Sequence, residues 1–431
     1  MKRMDRLSLA GIAFALCFSL VAGLAGIAVS KEKEKAEDSA RKYGLGQVVA
    51  ERLLDAYGLL EEEKYDEALA IIDGLAKRRR LKDPERAQIH RFRAYIHVSR
   101  EQNDLAIAEF EKSLALHAME PAAEQVMLYS MAQIYTGEGQ FDRALDVIDR
   151  WFAAEENPKA DAWFLKAMIL VQQEKFAEAA APVSRAIELS PQPKESWLTL
   201  YGVVFSQLKD YAKVEVALER LVELAPGKPQ YWVQLAAVQH HLGQDDEALA
   251  TMQIARQAGL IQGDKEIRQL ASLLFLRQQP FECAKVMEQS MAAGQVQADA
   301  EAYRLLSSCF VAARESEKAL APLAKGGELA ADGDMYVMLG QMYLQREEHG
   351  PAIEALENAL AKARPEQRGS IHLMLGIAKL GDEQLDAAEQ SFKMAVDDAK
   401  AGRAAESYLK FLESKRSLAA QPRLASSATG G

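Results

Sequence analysis

The sequence predicts an all-α solenoid of about ten helix-turn-helix units that ends in a capping helix. Three observations predict it. A short pattern of an aromatic residue, acidic residues and alanine, as in "KYDEALAII", recurs every 33 to 38 residues. A small residue stands at a fixed distance before each copy, and large aromatic residues stand at other fixed distances. A period of this length is typical of stacked helical repeats.

The recurring alanine serves as the anchor of each unit. The ten anchors are Ala68, Ala106, Ala144, Ala179, Val214, Ala248, Ala284, Ala319, Ala352 and Ala388. The residue twelve places earlier is small in every unit: Ala56, Ala94, Ala132, Ala167, Gly202, Ala236, Ser272, Ser307, Gly340 and Gly376. Small residues that face each other allow two antiparallel helices to pack closely. Each unit is therefore predicted to be a helical hairpin.

Aromatic residues are expected to fill the space around these small contacts. They stand three places before the anchor, as at Phe176 and Phe281, and nine places before it, as at Phe205, Phe275 and Phe310. Prolines such as Pro121 stand where one unit ends and the next begins, a position that suits the first turn of a new helix. We expect one continuous array without a domain boundary, because each unit touches only its neighbours.

This spacing of small and aromatic residues resembles the tetratricopeptide repeat, a helical hairpin of about 34 residues. The resemblance covers residues 47–400 and implies a right-handed superhelix. Residues 401–416 are predicted to form a polar capping helix. Residues 417–431, rich in serine, alanine and glycine, have the composition of a disordered tail.

The N-terminal residues predict export. Residues 1–30 combine Lys2, Arg3 and Arg6 with an uncharged apolar run from Leu7 to Ser30, and residues 31–46 form a charged linker. We expect a cleaved signal peptide. A retained membrane anchor is the alternative, since the run is long enough to cross a bilayer. In either case the repeats are expected in the periplasm, and membrane contact is expected only through this segment.

Nothing in the sequence predicts an enzyme, a cofactor or a metal site. The seven histidines form no metal-binding motif, and the abundant carboxylates are typical of solvated helix faces. The "KGG" at Lys325 is predicted to stop a helix. A formal charge of -11 repels phosphate backbones, so nucleic acid is not an expected partner.

Cys283 and Cys309 fall on successive predicted helices. A disulfide between them is conceivable in an oxidising compartment. Two buried free thiols are the commoner outcome for such cysteines, and we expect them here.

A protein-binding groove is predicted along the first helix of each unit. Residues fifteen, eleven and seven or eight places before the anchors are expected to line it: Tyr57, Arg91, Tyr95, Tyr129, Gln133, Phe164, Gln172, Gln207, His240, Gln269, Arg304, Gln341 and Gln345. Amides both donate to and accept from a peptide backbone, and tyrosine offers contact area at a low entropy cost. The expected ligand is a peptide segment or helix of another protein. The plainer alternative is that these are neutral inward-facing residues.

The segment from Pro229 to Met291, with "YWVQL", "ARQAGL" and "QPFECAKVME", is similar to the periplasmic tetratricopeptide proteins that accompany TonB–ExbB–ExbD systems. This resemblance implies a non-enzymatic, accessory role in energy-transducing outer-membrane uptake, with docking to a component of the TonB–ExbB–ExbD complex. An envelope-assembly scaffold that binds secretion or cell-wall proteins through the groove is the alternative.

Overall fold

A computed structural model describes residues 45–420, and these residues contain twenty-one α-helices and no β-strand. The predicted all-α fold class of stacked helix-turn-helix units is confirmed. The predicted signal or anchor segment, most of the charged linker and residues 421–431 of the predicted tail lie outside the described residues. No helix between residues 45 and 420 is both long and apolar enough to span a bilayer.

Twenty helices pair into ten hairpins, and one further helix follows. Their bounds are α1 Gln47–Glu61, α2 Tyr65–Ala76, α3 Asp83–Ser99, α4 Asn103–Ala115, α5 Pro121–Gly137, α6 Phe141–Ala154, α7 Ala160–Gln172, α8 Phe176–Glu188, α9 Glu195–Gln207, α10 Tyr211–Leu224, α11 Pro229–His241, α12 Asp245–Gln257, α13 Asp264–Leu276, α14 Pro280–Ala292, α15 Ala300–Ala312, α16 Ser316–Leu329, α17 Asp334–Gln345, α18 His349–Lys362, α19 Pro365–Gly381, α20 Leu385–Ala395 and α21 Gly402–Ala420. The last helix thus continues past residue 416, into the segment predicted as tail.

The helices form two compact units. The first unit ends at Ala225 and contains α1 to α10. The second begins at Pro226 and contains α11 to α21. The linking sequence "PGKP" holds two prolines, Pro226 and Pro229, around a glycine. Neither residue type favours continued helix, so the chain is readily interrupted here.

The small residue of each hairpin sits where its two helices come closest. A Cβ atom on Gly340 would lie 2.5 Å from the Cγ atom of Leu356, and one on Gly376 would lie 2.4 Å from the ring of Phe392. Both partners lie on the second helix of the same hairpin. Close helix packing therefore explains the small residue, as the sequence indicates.

The seventh hairpin departs from the predicted register by one residue. Helix α14 begins at Pro280, so the anchor position falls on the buried Cys283 and the small contact on the buried Ala271. Consequently Phe281 and Phe275, predicted to lie in the core, are 58% and 41% exposed. Proline is favoured at the first helical position, and it fixes this start one residue earlier than the aromatic pattern suggests.

The turn inside each hairpin contains one residue in the left-handed backbone region. Eight of these residues are not glycine, for example Glu174 with φ 57° and Glu347 with φ 60°. The other two are Gly139 and Gly243. The sequence gives little sign of this feature, because long polar residues occupy a conformation that usually favours glycine.

The prediction that "KGG" stops a helix is wrong. Gly326 and Gly327 lie inside α16, which continues to Leu329, and both are buried. A Cβ atom on Gly327 would come within 2.9 Å of the ring of Tyr336, and one on Gly326 within 2.5 Å of the Sδ atom of Met335. The two glycines are needed because α17 packs directly against this turn of α16.

Cys283 and Cys309 are joined by a disulfide, contrary to the expectation of free thiols. Their Cα atoms are 5.8 Å apart, and both residues are fully buried. The bond connects α14 to α15 and closes a loop across 26 positions of the sequence. It therefore links the seventh hairpin covalently to the eighth.

Candidate protein-binding face

The first helices of the second unit carry a group of exposed uncharged side chains. We call it the uncharged face and define it by these residues of α11, α13, α15 and α17: the exposed Gln234, Ala237, His240, Ser272, Phe275, Leu276, Val311, Met338, Gln341 and Gln345, and the half-buried Ser308. They recur at helical spacings of three and four residues, so each set lies along one side of its helix. Because successive hairpins stack, these sides lie next to one another.

Large apolar side chains are exposed within the uncharged face. Phe275 is 41% exposed and Leu276 is 50% exposed at the end of α13, and Val311 and Met338 are exposed on the following first helices. Single exposed apolar residues are common on soluble proteins, whereas a group on one surface is typical of a protein-binding site. These four residues give the face exposed apolar area.

Amide and imidazole groups supply hydrogen-bonding capacity on the same face. Within residues 45–420, Gln234 and Gln345 form no side-chain hydrogen bond, and Gln341 makes one long contact of 3.5 Å to the sulfur of Met374. The Nδ1 atom of His240 lies 2.6 Å from the Asp245 carboxylate. With Nδ1–H as the donor, Nε2 is left as an acceptor. These groups can bind the N–H and C=O groups of a peptide.

Two arginines near the uncharged face are already paired. The guanidinium of Arg268 donates to both Asp264 and Asp299 at 2.8 to 3.0 Å. The hydrogen bond from Arg268 and one from the backbone of Gln297 lower the pKa of Asp264. Arg304, a predicted groove residue, donates to Asp332 at 3.2 Å. Both arginines are therefore held by carboxylates.

Two predicted groove residues of the first unit lie in the core. Tyr57 is 2% exposed and contacts the ring of Phe92, and Phe164 is 4% exposed and stacks on Trp197 with ring centroids 4.9 Å apart. An aromatic side chain is buried when neighbouring first helices pack closely enough to cover its apolar surface. Neither residue is available to a ligand in this structure.

Three further predicted groove residues are half-buried. Arg91 lies over the rings of Phe92 and Tyr95, at 5.8 and 5.9 Å from their centroids. Tyr95 packs edge-on against Phe110. Tyr129 contacts Trp151, and burial, together with the nearby Asp161, raises the pKa of Tyr129 to about 12. These three side chains therefore mainly pack against neighbouring aromatic rings.

The remaining predicted residues of the groove are accessible to different degrees. Gln133, Gln172 and Gln269 are half-buried, and Gln207, His240, Gln341 and Gln345 are exposed. Sequence reasoning assigned Phe275 to the core and did not select Met338 or Gln234. The helix start at Pro280 is the signal that would have corrected the assignment of Phe275. No group of three or more histidine, cysteine or acidic residues in the described part of the chain is arranged to hold a metal ion.

Comparison with known proteins agrees with the repeat architecture. A family model described as tetratricopeptide repeat matches residues 53–121 and 129–192. The chain is similar to YrrB, described as a TPR protein with an unusual peptide-binding site, at 17% identity and a TM-score of 0.34, over 39% of this chain and 83% of that one. A search of curated protein sequences found no match.

Two further solved structures are similar to the chain to about the same degree. A tetratricopeptide repeat protein from Parabacteroides merdae has 13% identity and a TM-score of 0.33, over 68% of this chain and 99% of that one. MamA from Desulfovibrio magneticus has 17% identity and a TM-score of 0.33, over 40% and 94%. The matched family model falls within the first four hairpins, and the other six hairpins repeat the same helix-turn-helix arrangement.

Proposed function

We propose that the chain is a non-enzymatic scaffold that binds a segment of another protein on the uncharged face of its second unit. The observation that carries this proposal is the combination of exposed Phe275, Leu276 and Val311 with unpaired amides such as Gln345 on one surface without formal charge. An apolar surface with a few hydrogen-bonding groups suits a peptide or helix whose own contact residues are apolar.

The finer proposal places the scaffold in the periplasm as an accessory of a TonB-type uptake system. The basic and apolar N-terminal residues support export, and the similarity of the segment from Pro229 to Met291 to TonB-associated proteins supports the system. The disulfide between Cys283 and Cys309 also favours export, because disulfides persist in oxidising compartments. The partner would be a component of the TonB–ExbB–ExbD complex.

The uncharged face can be tested with arginine substitutions and partner capture. Ser272→Arg and Gln341→Arg together place two charges on the face. Gln257→Arg and Gln289→Arg place the same charges on exposed positions of second helices and form the matched control. Cells that express the full chain are cross-linked, and the captured proteins are identified and quantified. We expect the face variant to lose its main partner at least about ten-fold, because a buried unpaired charge opposes association, while the control retains it.

The identity of that partner tests the finer proposal. Capture of a TonB, ExbB or ExbD protein supports the uptake system, whereas capture of a secretion or cell-wall protein supports the envelope-assembly scaffold. Equal capture by the face variant and the control would reject the uncharged face as the binding site. N-terminal sequencing of the exported chain distinguishes a cleaved signal peptide from a retained anchor.

A further inference from the structure

The connection between the first and second hairpins is strongly basic. Residues 77–82 read "KRRRLK" and join α2, which ends at Ala76, to α3, which begins at Asp83. We call them the basic loop. It holds five positive charges in a chain whose formal charge is -11, whereas each later connection within the first unit contains at most one lysine or arginine, at residues 116–120, 155–159 and 189–194.

The cations of the basic loop are exposed and carry no counter-charge. The side chains of Lys77, Arg78, Arg79 and Arg80 are exposed and form no hydrogen bond or ion pair within residues 45–420. Leu81 is half-buried and packs on the core formed by α1, α2 and α3. This leucine fixes the loop to the array, while the four basic side chains remain in solvent.

The carboxylates closest in sequence to the basic loop are engaged elsewhere. Asp73 accepts a hydrogen bond of 2.6 Å from the guanidinium of Arg93 on α3. Asp83 lies 3.5 Å from the guanidinium of Arg86. Both carboxylate oxygens of Glu85 accept backbone N–H groups. The positive charge of the loop is therefore available to an external anion.

Glu85 also holds the start of the array beside the basic loop. Its Oε1 atom accepts a hydrogen bond from the backbone N–H of Gly46 at 2.9 Å, and its Oε2 atom accepts one from the backbone N–H of Lys82 at 2.8 Å. Glu85 is only 6% exposed. The chain therefore enters α1 directly beside the last residue of the basic loop.

This arrangement keeps the basic loop close to a membrane that contains the N-terminal residues. The uncharged apolar run from Leu7 to Ser30 is long enough to cross a bilayer, and residues 31–44 separate it from Leu45. These fourteen residues span at most about 50 Å even when fully extended. With the apolar run in a bilayer, the basic loop is therefore within reach of the lipid headgroups.

We propose that the basic loop binds the anionic headgroups of a phospholipid bilayer. A bilayer surface requires no matching shape, and each lysine or arginine close to an anionic leaflet adds to the attraction. The acidic remainder of the chain opposes it only weakly, because exposed charges more than about 8 to 10 Å from the surface are screened by salt.

An acidic protein segment is the competing ligand for the basic loop. The apolar run that precedes the array favours the bilayer, because it brings a membrane, and not another protein, to this edge of the first hairpin. The proposal concerns the connection between α2 and α3 alone. Its failure would leave the proposed role of the uncharged face in the second unit unaffected.

Limited trypsin digestion of the full chain measures the accessibility of the loop. Cleavage after Lys77 is followed by mass spectrometry, with cleavage after Lys400, an exposed residue of another loop, as the internal reference. The chain is mixed with vesicles of phosphatidylcholine alone or with about 30% phosphatidylglycerol. Residues 1–30, where retained, enter both kinds of vesicle, so the comparison isolates the effect of headgroup charge.

We expect the anionic vesicles to slow cleavage after Lys77 at least about five-fold relative to Lys400, because bound headgroups cover the loop. Neutral vesicles should leave the ratio of the two cleavage rates unchanged. High salt should remove the protection, since it screens the attraction between the loop and the bilayer.

Matched triple variants separate the basic loop from a general effect of charge. The loop variant replaces three arginines but keeps Lys77 as the cleavage site, and it should lose the protection: Arg78→Gln, Arg79→Gln and Arg80→Gln. The control variant removes the same charge from exposed arginines of other hairpins that also have no side-chain hydrogen bond or ion pair, and it should keep the protection: Arg220→Gln, Arg314→Gln and Arg368→Gln. Circular dichroism checks that both variants fold.

The proposal is overturned if anionic vesicles do not slow cleavage after Lys77, or if neutral vesicles slow it equally. It is also overturned if the control variant loses the protection as completely as the loop variant does. Protection by a soluble polyglutamate peptide, without protection by anionic vesicles, would assign the loop to an acidic protein segment instead.

Discussion

Lys362 caps the helix of the preceding hairpin by donating to the carbonyl oxygen of Gly327 at 2.7 Å. Its ammonium group, at the end of α18, also donates to the carbonyl oxygens of Glu328 and Ala330 at 2.9 and 2.8 Å. All three N–H bonds of the ammonium are thus used on the last turn of α16, where carbonyl groups lack partners within the helix. The eighth and ninth hairpins are therefore joined by a charged cap as well as by packing.

Removal of this cap should loosen the end of α16. Lys362→Met keeps most of the aliphatic stem and loses the three hydrogen bonds, so we expect a cost of about 1 to 3 kcal/mol. Hydrogen exchange of the amides around residues 326–330 should speed up, as measured by mass spectrometry. Lys325→Met, at an exposed position of the same helix, is the control and should leave exchange unchanged. Equal exchange in both variants would show that the cap contributes nothing.

Gly327→Ala should destabilise the second unit, although alanine is normally the better helix residue. The new methyl group would meet the ring of Tyr336 at 2.9 Å, and such overpacking costs about 1 to 3 kcal/mol. Gly74→Ala, in α2, meets no atom within 4 Å and should stabilise the chain by about 0.5 to 1 kcal/mol. Urea unfolding of the two variants measures both effects. Stabilisation by both substitutions would show that α17 does not pack closely on α16.

The disulfide between Cys283 and Cys309 should stabilise the second unit. Closing a loop across 26 positions lowers the conformational entropy of the unfolded chain, which corresponds to about 3.5 kcal/mol of stabilisation. We therefore expect the oxidised chain to unfold at higher urea concentration than the same chain after reduction with a phosphine. Alkylation of the unfolded, non-reduced protein followed by peptide mapping should find neither cysteine modified. Alkylation of both would mean that no bond forms.

The pairing of Arg268 with Asp264 and Asp299 predicts a dependence of stability on pH. The hydrogen bond from Arg268 lowers the pKa of Asp264. Burial alone would raise the pKa of Asp299, but hydrogen bonds from Arg268 and the backbone of Ala302 lower it overall. A lowered pKa in the folded state adds stability above the pKa of the unfolded chain, and this stability is lost as pH falls through the folded value.

Arg268→Met should therefore cost about 1 to 2 kcal/mol at pH 7, and the difference from the unmodified chain should shrink below about pH 4. Thermal unfolding at pH 7, 5 and 3 measures this difference in stability. Arg277→Met removes a more exposed pair, with Asp246, and should cost less than about 1 kcal/mol at pH 7. A difference that stays constant down to pH 3 would contradict the assignment of the stabilisation to these two carboxylates.

The fold could be predicted from the sequence because close helix packing imposes small residues at one fixed position. Ala56, Gly340 and their counterparts are small wherever the two helices of a hairpin meet, so the period is visible without a structure. The seventh hairpin shows the limit of this signal. There Ala271 and Ser272 are both small, and only the start of α14 at Pro280 decides which of them faces the core.

The proposed binding surface was harder to predict, because exposure depends on how closely neighbouring hairpins pack. Tyr57 and Gln341 both stand eleven places before an anchor, yet Tyr57 is buried and Gln341 is exposed. The prediction for Gly326 and Gly327 was wrong for a related reason. A pair of glycines can end a helix or allow another helix to pack closely against it, and the tertiary packing decides which.

The most direct test of the proposed function is site-specific photo-cross-linking in intact cells. A photoreactive amino acid is introduced at Gln341 on the uncharged face, and at Glu354 as an exposed control position on the second helix of the same region. We predict one discrete cross-linked protein from position 341, absent from position 354 and absent when Ser272→Arg is added. The same cross-link from both positions, or none from position 341, would contradict the account.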